Sequence, residues 1–188
     1  AEAIAAVTFD RLALDLRRLG APQEVQDMAE QGARDERAHI VLCKDLAERL
    51  GWRFEEVPSV PSTQALTDRP VSQADLLIRM VAMGCINETV SAVVLNHMLR
   101  LSQPGPVHDT IHVILQDEMG HSRIGWAYLA HMAERHDVRP LGALLPKMLE
   151  QAITDELFAG HLIADPDADA TALGAVPRAS RVALFTAA

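Results

Sequence analysis

Two short words in this chain have the residue types and spacing of metal chemistry. Residues 35–39 read DERAH and residues 117–121 read DEMGH, so each word sets a His three positions after a Glu, with an Asp before the Glu. On a helix, Glu36 with His39 and Glu118 with His121 stand on one face about a turn apart. A carboxylate and an imidazole so placed can bind one cation together or bridge to a second. With 8 His in the chain, one Glu-x-x-His is unremarkable. Two copies, both preceded by Asp and both set among apolar residues, are a stronger signal than surface salt-bridging helices would give.

The elements that must position these residues read as helices. Ala and Leu dominate, aromatics make up 4%, and hydrophobic residues 49%, a composition that favours helix over sheet. Residues 1–19 place Glu2, Ala5, Phe9, Leu12, Leu16 and Leu19 on one face. Gly20 fits a helix stop and Pro22 the first turn of a second helix, which runs to about Leu50 and ends at Gly51. Its inner stripe is Val25, Met28, Gly32, Glu36, His39, Cys43, Leu46 and Leu50. Glu24, Glu30 and Glu48 lie off that stripe, as solvated acids do. Residues 52–71, with Pro58, Pro61 and Pro70, read as a long crossover.

Ser72 with Asp75 has the pattern of a capping box and opens a third helix. Its stripe is Leu77, Val81, Gly84, Glu88, Ser91, Leu95 and Met98, and Glu88 is the helix's sole Glu. QPGP at 103–106 breaks the chain. The fourth helix has the cleanest stripe: Val107, Ile111, Ile114, Glu118, His121, Gly125, Tyr128 and Met132. A fifth helix is expected over about 141–162, bent at Pro146, then a loop at DPDAD (165–169), then a last helix from about 178. The expected fold class is all-α: a four-helix bundle over 1–136, made of two antiparallel hairpins joined by one long crossover, with a helical extension over 137–188 packed on the same domain.

Glu2, Glu36, Glu88 and Glu118 all fall on apolar stripes. Burying even one unpaired carboxylate costs several kcal/mol, roughly, unless a cation or partner meets it. Their depths suggest how four are tolerated. Glu88 lies sixteen residues before Pro104 and His121 seventeen after it, so both sit roughly 25 Å from the turn. Glu2 lies eighteen residues before Gly20 and His39 nineteen after. Each hairpin thus offers one Glu from its first helix and Glu-x-x-His from its second, at one level. That is the ligand set of di-iron and di-manganese carboxylate bundles.

On DERAH, DEMGH and the NETV stretch holding Glu88, the chain resembles the ferritin-like di-iron carboxylate superfamily over residues 1–136. The resemblance implies that His39 and His121 are terminal ligands, that two carboxylates bridge, and that Glu2 and Glu88 complete the site. It implies Asp35 beside His121 and Asp117 beside His39, each accepting the ring N–H that faces away from the metals. The expected cofactor is a pair of Fe ions; Mn or a mixed Mn/Fe pair suits the same ligands, and Zn(II) also fits them.

Three branches of that resemblance compete. One is an oxidase or oxygenase using O2 or peroxide on a small organic molecule; one is a ferroxidase or iron-storage protein; one is a metal-binding bundle without turnover. The rubredoxin-type CxxC pairs of rubrerythrin are absent, and Ser91 stands where its extra Glu would be. Cys43 occupies the position four residues after the first His where a radical-generating reductase subunit carries Tyr. Gly32, Gly84, Cys85, Ser91 and Gly125 either leave room beside the site or let helices approach closely. A net charge of −9 argues against a general nucleic-acid binder. No run of about 18 uncharged apolar residues suggests a membrane span. Cys43 and Cys85 form no CxxC pair, which suits a reduced, cytoplasmic setting. A homodimer is compatible with this plan, and the electron donor is not legible in the residues.

Overall fold

The computed structural model describes residues 2–52, 71–152 and 165–187, and its regular elements there are all helical. Helix α1 spans Glu2–Arg18 and α2 spans Gln23–Arg49. The tight link between them follows from Gly20, whose φ of 67° lets Ala21 N–H reach Leu16 O at 3.0 Å and close off the last turn. Gly51, at φ 87°, ends α2 in the same way. The crossover expected at 52–71 lies outside the described residues apart from Trp52 and Val71.

The third rod opens on the expected capping box. Ser72 Oγ accepts from Asp75 N–H at 3.1 Å, and the Asp75 carboxylate accepts from Ser72 N–H at 3.4 Å. Helix α3 (Gln73–Arg79) passes into a π-helical segment, Met80–Asn87, and continues as α4 (Glu88–Leu101). Periodicity had predicted one regular α-helix here. A π-turn alters backbone spacing without changing residue type, so neither propensity nor polarity marks it. The rod is long and apolar enough to cross a membrane, yet it carries Glu88 into a buried cluster.

Helix α5 (Pro106–Ala133) starts with Pro106 in its first turn. Apart from half-buried Val107, its whole predicted stripe, from Ile111 through Met132, is buried. Apart from half-buried Met28, the α2 stripe is buried through His39 and then opens, leaving Leu50 49% exposed. Helices α1 and α2 pack along one another, α5 packs against both α2 and the third rod, and the third rod meets α1 near α3. An ion pair fixes that last contact: buried Asp15 accepts from Arg11 Nε at 2.8 Å and from Arg79 Nη1 at 2.7 Å.

Two expectations for the C-terminal part need correction. In place of a helix from 141 bent at Pro146, a 3-10 turn (Arg139–Ala143) leads into α6 (Leu145–Ala152), with Pro146 in its opening turn, where its missing N–H costs nothing. Residues 153–162 of the expected helix lie outside the described residues. DPDAD is not all loop either: Asp167 caps α7 (Ala168–Ala172), its carboxylate accepting from Ala170 N–H at 2.8 Å. Helix α8 (Arg178–Ala187) begins where expected. Gly174 sits against Ile111 and the Met98 carbonyl, and Gln103 N–H donates to Ala172 O at 2.9 Å, so this segment covers the far end of the second hairpin.

Candidate metal centre

Helices α2 and α5 face each other across the interior, and their two Glu-x-x-His pairs meet there. Glu36 is 1% exposed, His39 0%, Glu118 5% and His121 2%. Glu88 enters from the start of α4, its side chain 12% exposed. Ligand atoms of Glu36, His39 and Glu118 lie within 4.8 Å of one another, and so do those of Glu88, Glu118 and His121. Glu118 belongs to both groups.

The carboxylates divide their oxygens between the two imidazoles. Glu36 places Oε2 3.5 Å from His39 Nδ1 and Oε1 3.2 Å from His121 Nδ1. Glu118 places Oε1 4.0 Å from His39 Nδ1 and Oε2 3.4 Å from His121 Nδ1. Glu88 Oε2 is 3.9 Å from His121 Nδ1. These are close electrostatic approaches without hydrogen-bond geometry: both Nδ1 atoms, Glu36 Oε2 and Glu118 Oε2 are buried and lack a hydrogen-bond partner. Buried polar atoms are ordinarily satisfied, and a cluster of four orphans pointing at one another has the donor set of a cation site.

The outer faces of both rings are satisfied. His39 Nε2 lies 3.0 Å from Asp117 Oδ2, and His121 Nε2 lies 3.3 Å from Asp35 Oδ2. An Nε2–H donated to each Asp leaves the Nδ1 lone pair directed inward, the tautomer a cation requires.

Titration follows from this crowding. Burial alone would lower the His121 pKa, but its contacts with Glu118 and Glu36 and the charge of Glu88 drive it up to about 11. His39 rises as well: Glu36 and Asp117 outweigh its burial. Glu36 runs the other way, since the two imidazoles outweigh burial and lower it. Burial, then the neighbouring Glu118 carboxylate, hold Glu88 well above the ordinary carboxylate range.

Glu2 stands apart from both three-residue groups. Burial first, then the Glu36 charge, raise its pKa, and its Oε1 lies 3.9 Å from Cys43 Sγ. It borders the cluster without closing it. Cys85 is a buried free thiol pushed up to about 12, and Tyr128 is a core ring, 1% exposed, stacked near His131. His108 pairs with Ser102 and His112 with Gln116; among the described residues they join no ligand group.

Small residues serve close packing at two points. A Cβ on Gly125 would fall 2.4 Å from the Gly84 carbonyl carbon and 2.5 Å from Cys85 N, so α5 touches the π-segment backbone to backbone one turn beyond His121. A Cβ on Gly32 would fall 3.0 Å from two ring atoms of Phe9. Sequence reasoning missed Asp15, the π-segment and the Phe9 contact. Arg11 four residues before Asp15 was the available sign of the first; the other two leave none. A cavity of about 250 Å³ opens between α2 and α5 on the outer side of His121, with Gly32, Asp35, Asp117 and Arg123 in its wall.

Set against protein-family models, curated proteins and solved structures, the chain matches none. What the geometry establishes is an all-helical protein with a buried carboxylate and imidazole cluster able to hold metal.

Proposed function

We propose that this chain is a di-iron carboxylate oxidoreductase of ferritin-like architecture that uses O2 or peroxide, acting as an oxidase or oxygenase of a small organic molecule. The observation that carries the reading is the split of Glu36 and Glu118, each with one oxygen toward His39 and the other toward His121. Carboxylates so placed are suited to bridging two ions, with one imidazole terminal on each. Charge supports the same count. With neutral imidazoles, Glu2, Glu36, Glu88 and Glu118 carry four negative charges, which two divalent cations cancel; without them the burial cost falls on the fold.

In this reading Glu36, His39 and Glu118 would hold one iron and Glu88, Glu118 and His121 the other, with the second oxygen of Glu36 also available to the latter and Glu2 the remaining acid at the edge. A bound iron pair supplies two electrons to O2 or peroxide, chemistry that side chains alone do not perform. Asp117 and Asp35 fix the tautomer of the two imidazoles. The buried Phe9 ring, against His121, gives the cluster an apolar neighbour that lowers the local dielectric. The cavity beside His121 is near the lower end of small-molecule sites in volume.

Anaerobic titration with Fe(II), followed by O2, tests the reading. We expect saturation at two Fe(II) per chain, and O2 consumption that ends with that pair oxidised and no mineral growth. Uptake of iron far beyond the pair would replace this reading with iron storage. Tight binding with no reaction toward O2 or peroxide would leave a metal-stabilised bundle.

A further inference from the structure

The two halves of the centre are not supported alike. Phe9 of α1, 1% exposed, places its ring against the His121 imidazole, centroids 4.9 Å apart and planes tilted by 55°. Its other side rests on Gly32, where a Cβ would come within 3.0 Å of ring atoms Cδ1 and Cε1. The Phe9 ring is therefore wedged between the α2 backbone and a histidine of α5. Among the described residues, the ring neighbour of His39 is His121 itself, at 6.1 Å. His39 instead has the shorter outer hydrogen bond, 3.0 Å against 3.3 Å for His121. The Asp35 carboxylate that serves His121 is shared, since its Oδ1 accepts from Gln31 Nε2 at 2.6 Å.

We propose that Phe9, seated on Gly32, is a positioning residue for His121 and not for His39. A tilted aromatic pair has a preferred geometry because ring edges are positive and faces negative. The wedge thus restrains rotation of the His121 ring, which decides whether Nδ1 or a carbon faces Glu36, Glu88 and Glu118. His39 gets the same restraint from Asp117. The cation held by Glu88, Glu118 and His121 therefore depends on Phe9, and the cation held by Glu36, His39 and Glu118 does not. A side chain at position 32 would act on the same ion, by driving the ring into His121.

This inference rests on the two-cation reading of the centre, and its test keeps the two separable. Co(II) is titrated into the metal-free chain under anaerobic conditions, with visible absorption and calorimetry recorded for wild type, Phe9→Leu and Gly32→Ala. Leucine keeps most of the buried volume and removes the ring. Wild type is expected to show two binding steps. Both variants should weaken one step by about 10-fold or more, the scale for groups that orient a metal ligand, with that step's absorption band altered and the other step unchanged. Loss of packing alone would lower the melting temperature and move both steps together or neither, and either result in a folded variant overturns the inference. If Phe9→Leu does not fold, Gly32→Ala, which keeps the ring, decides. Failure of wild type to bind Co(II) overturns the two-cation reading, and the inference with it.

Discussion

His39 Nε2 and Asp117 Oδ2 lie 3.0 Å apart although 78 positions separate the two residues in the chain. The mirror contact, His121 with Asp35, spans 86 positions. Each DExxH word therefore gives a histidine to the interior and an aspartate to the histidine of the other word. Asp117→Asn keeps the shape but weakens acceptance of the Nε2 proton. Metal affinity at the His39 half should fall by about 10–100-fold, with the His121 half less affected. Competitive titration against a chelator of known affinity reads this directly; equal affinities for wild type and variant would refute it.

Glu118 is common to both ligand groups, so its loss should act on both ions. Glu118→Gln is expected to abolish loading. The melting temperature of the metal-free chain should fall only modestly, because Gln removes one counter-charge of protonated His121 but leaves Glu36 and Glu88 beside it. The stabilisation that metal gives wild type, about 2.7 kcal/mol at a hundredfold excess over Kd, should vanish. Thermal melts with and without metal separate these effects. A large drop in the metal-free melt would contradict the argument.

The metal-free chain should lose stability as pH rises. His121 moves from 6.5 to about 11 on folding, so the folded state holds a proton that the unfolded state has lost. That contribution is complete below pH 6.5 and is lost as pH climbs through about 11. His39 and Glu88 are also raised and act in the same direction. Lowered Glu36 acts oppositely, but below its ordinary 4.5 and so outside this window. Melting temperature measured from about pH 7 to about pH 10 should decline, reflecting an unfolding free energy that falls by no more than about 1.4 kcal/mol per pH unit for each proton released on unfolding. His121→Gln should flatten the decline. Bound metal should abolish it, since cations and protons compete for the same atoms.

Gly125→Ala introduces a Cβ that meets backbone at 2.4 and 2.5 Å, which no rotamer change relieves. We expect a cost of about 3 kcal/mol, at the upper end for overpacking. Because Gly125 lies one turn from His121, and Gly84 one turn from Glu88, the helices that separate carry ligands. Metal affinity should fall with the melt. Gly142→Ala, where a Cβ meets nothing within 4 Å, is the control.

Asp15→Ala removes the acceptor shared by Arg11 and Arg79. Taking the shared carboxylate from a buried ion-pair network costs about 3 kcal/mol, at the lower end because water reaches the 35% exposed Arg79 side chain. Chemical denaturation would measure it. Unchanged metal stoichiometry is expected, since Asp15 lies outside the ligand groups.

Periodicity and spacing made the long helices and five inward residues legible. Glu36, His39, Glu88, Glu118 and His121 each interrupt an apolar stripe, and a charged residue on a buried stripe needs a reason that polarity alone exposes. The cross-pairing of Asp35 and Asp117 came through the resemblance rather than the periodicity. Glu2 matched its partners in depth, but depth fixes height along a helix and not how closely its carboxylate approaches the others. The π-segment and the Phe9 wedge were silent because both depend on backbone spacing and on which turn of one helix lies opposite which turn of another. Asp167 and Pro146 were read as breaks, although both residue types also begin helices.

The π-segment just ahead of Glu88 keeps the rod's two ends in phase. Wound as an ordinary α-helix with the same number of residues, Met80–Asn87 would rotate everything beyond it by about 100° for each surplus residue. Relative to α3 and its buried Leu76 and Leu77, Glu88 and the rest of α4 would then face a different direction. A one-residue deletion there should therefore be better tolerated than one in α3 or α4, because the wide turn absorbs the difference and both flanks keep their faces.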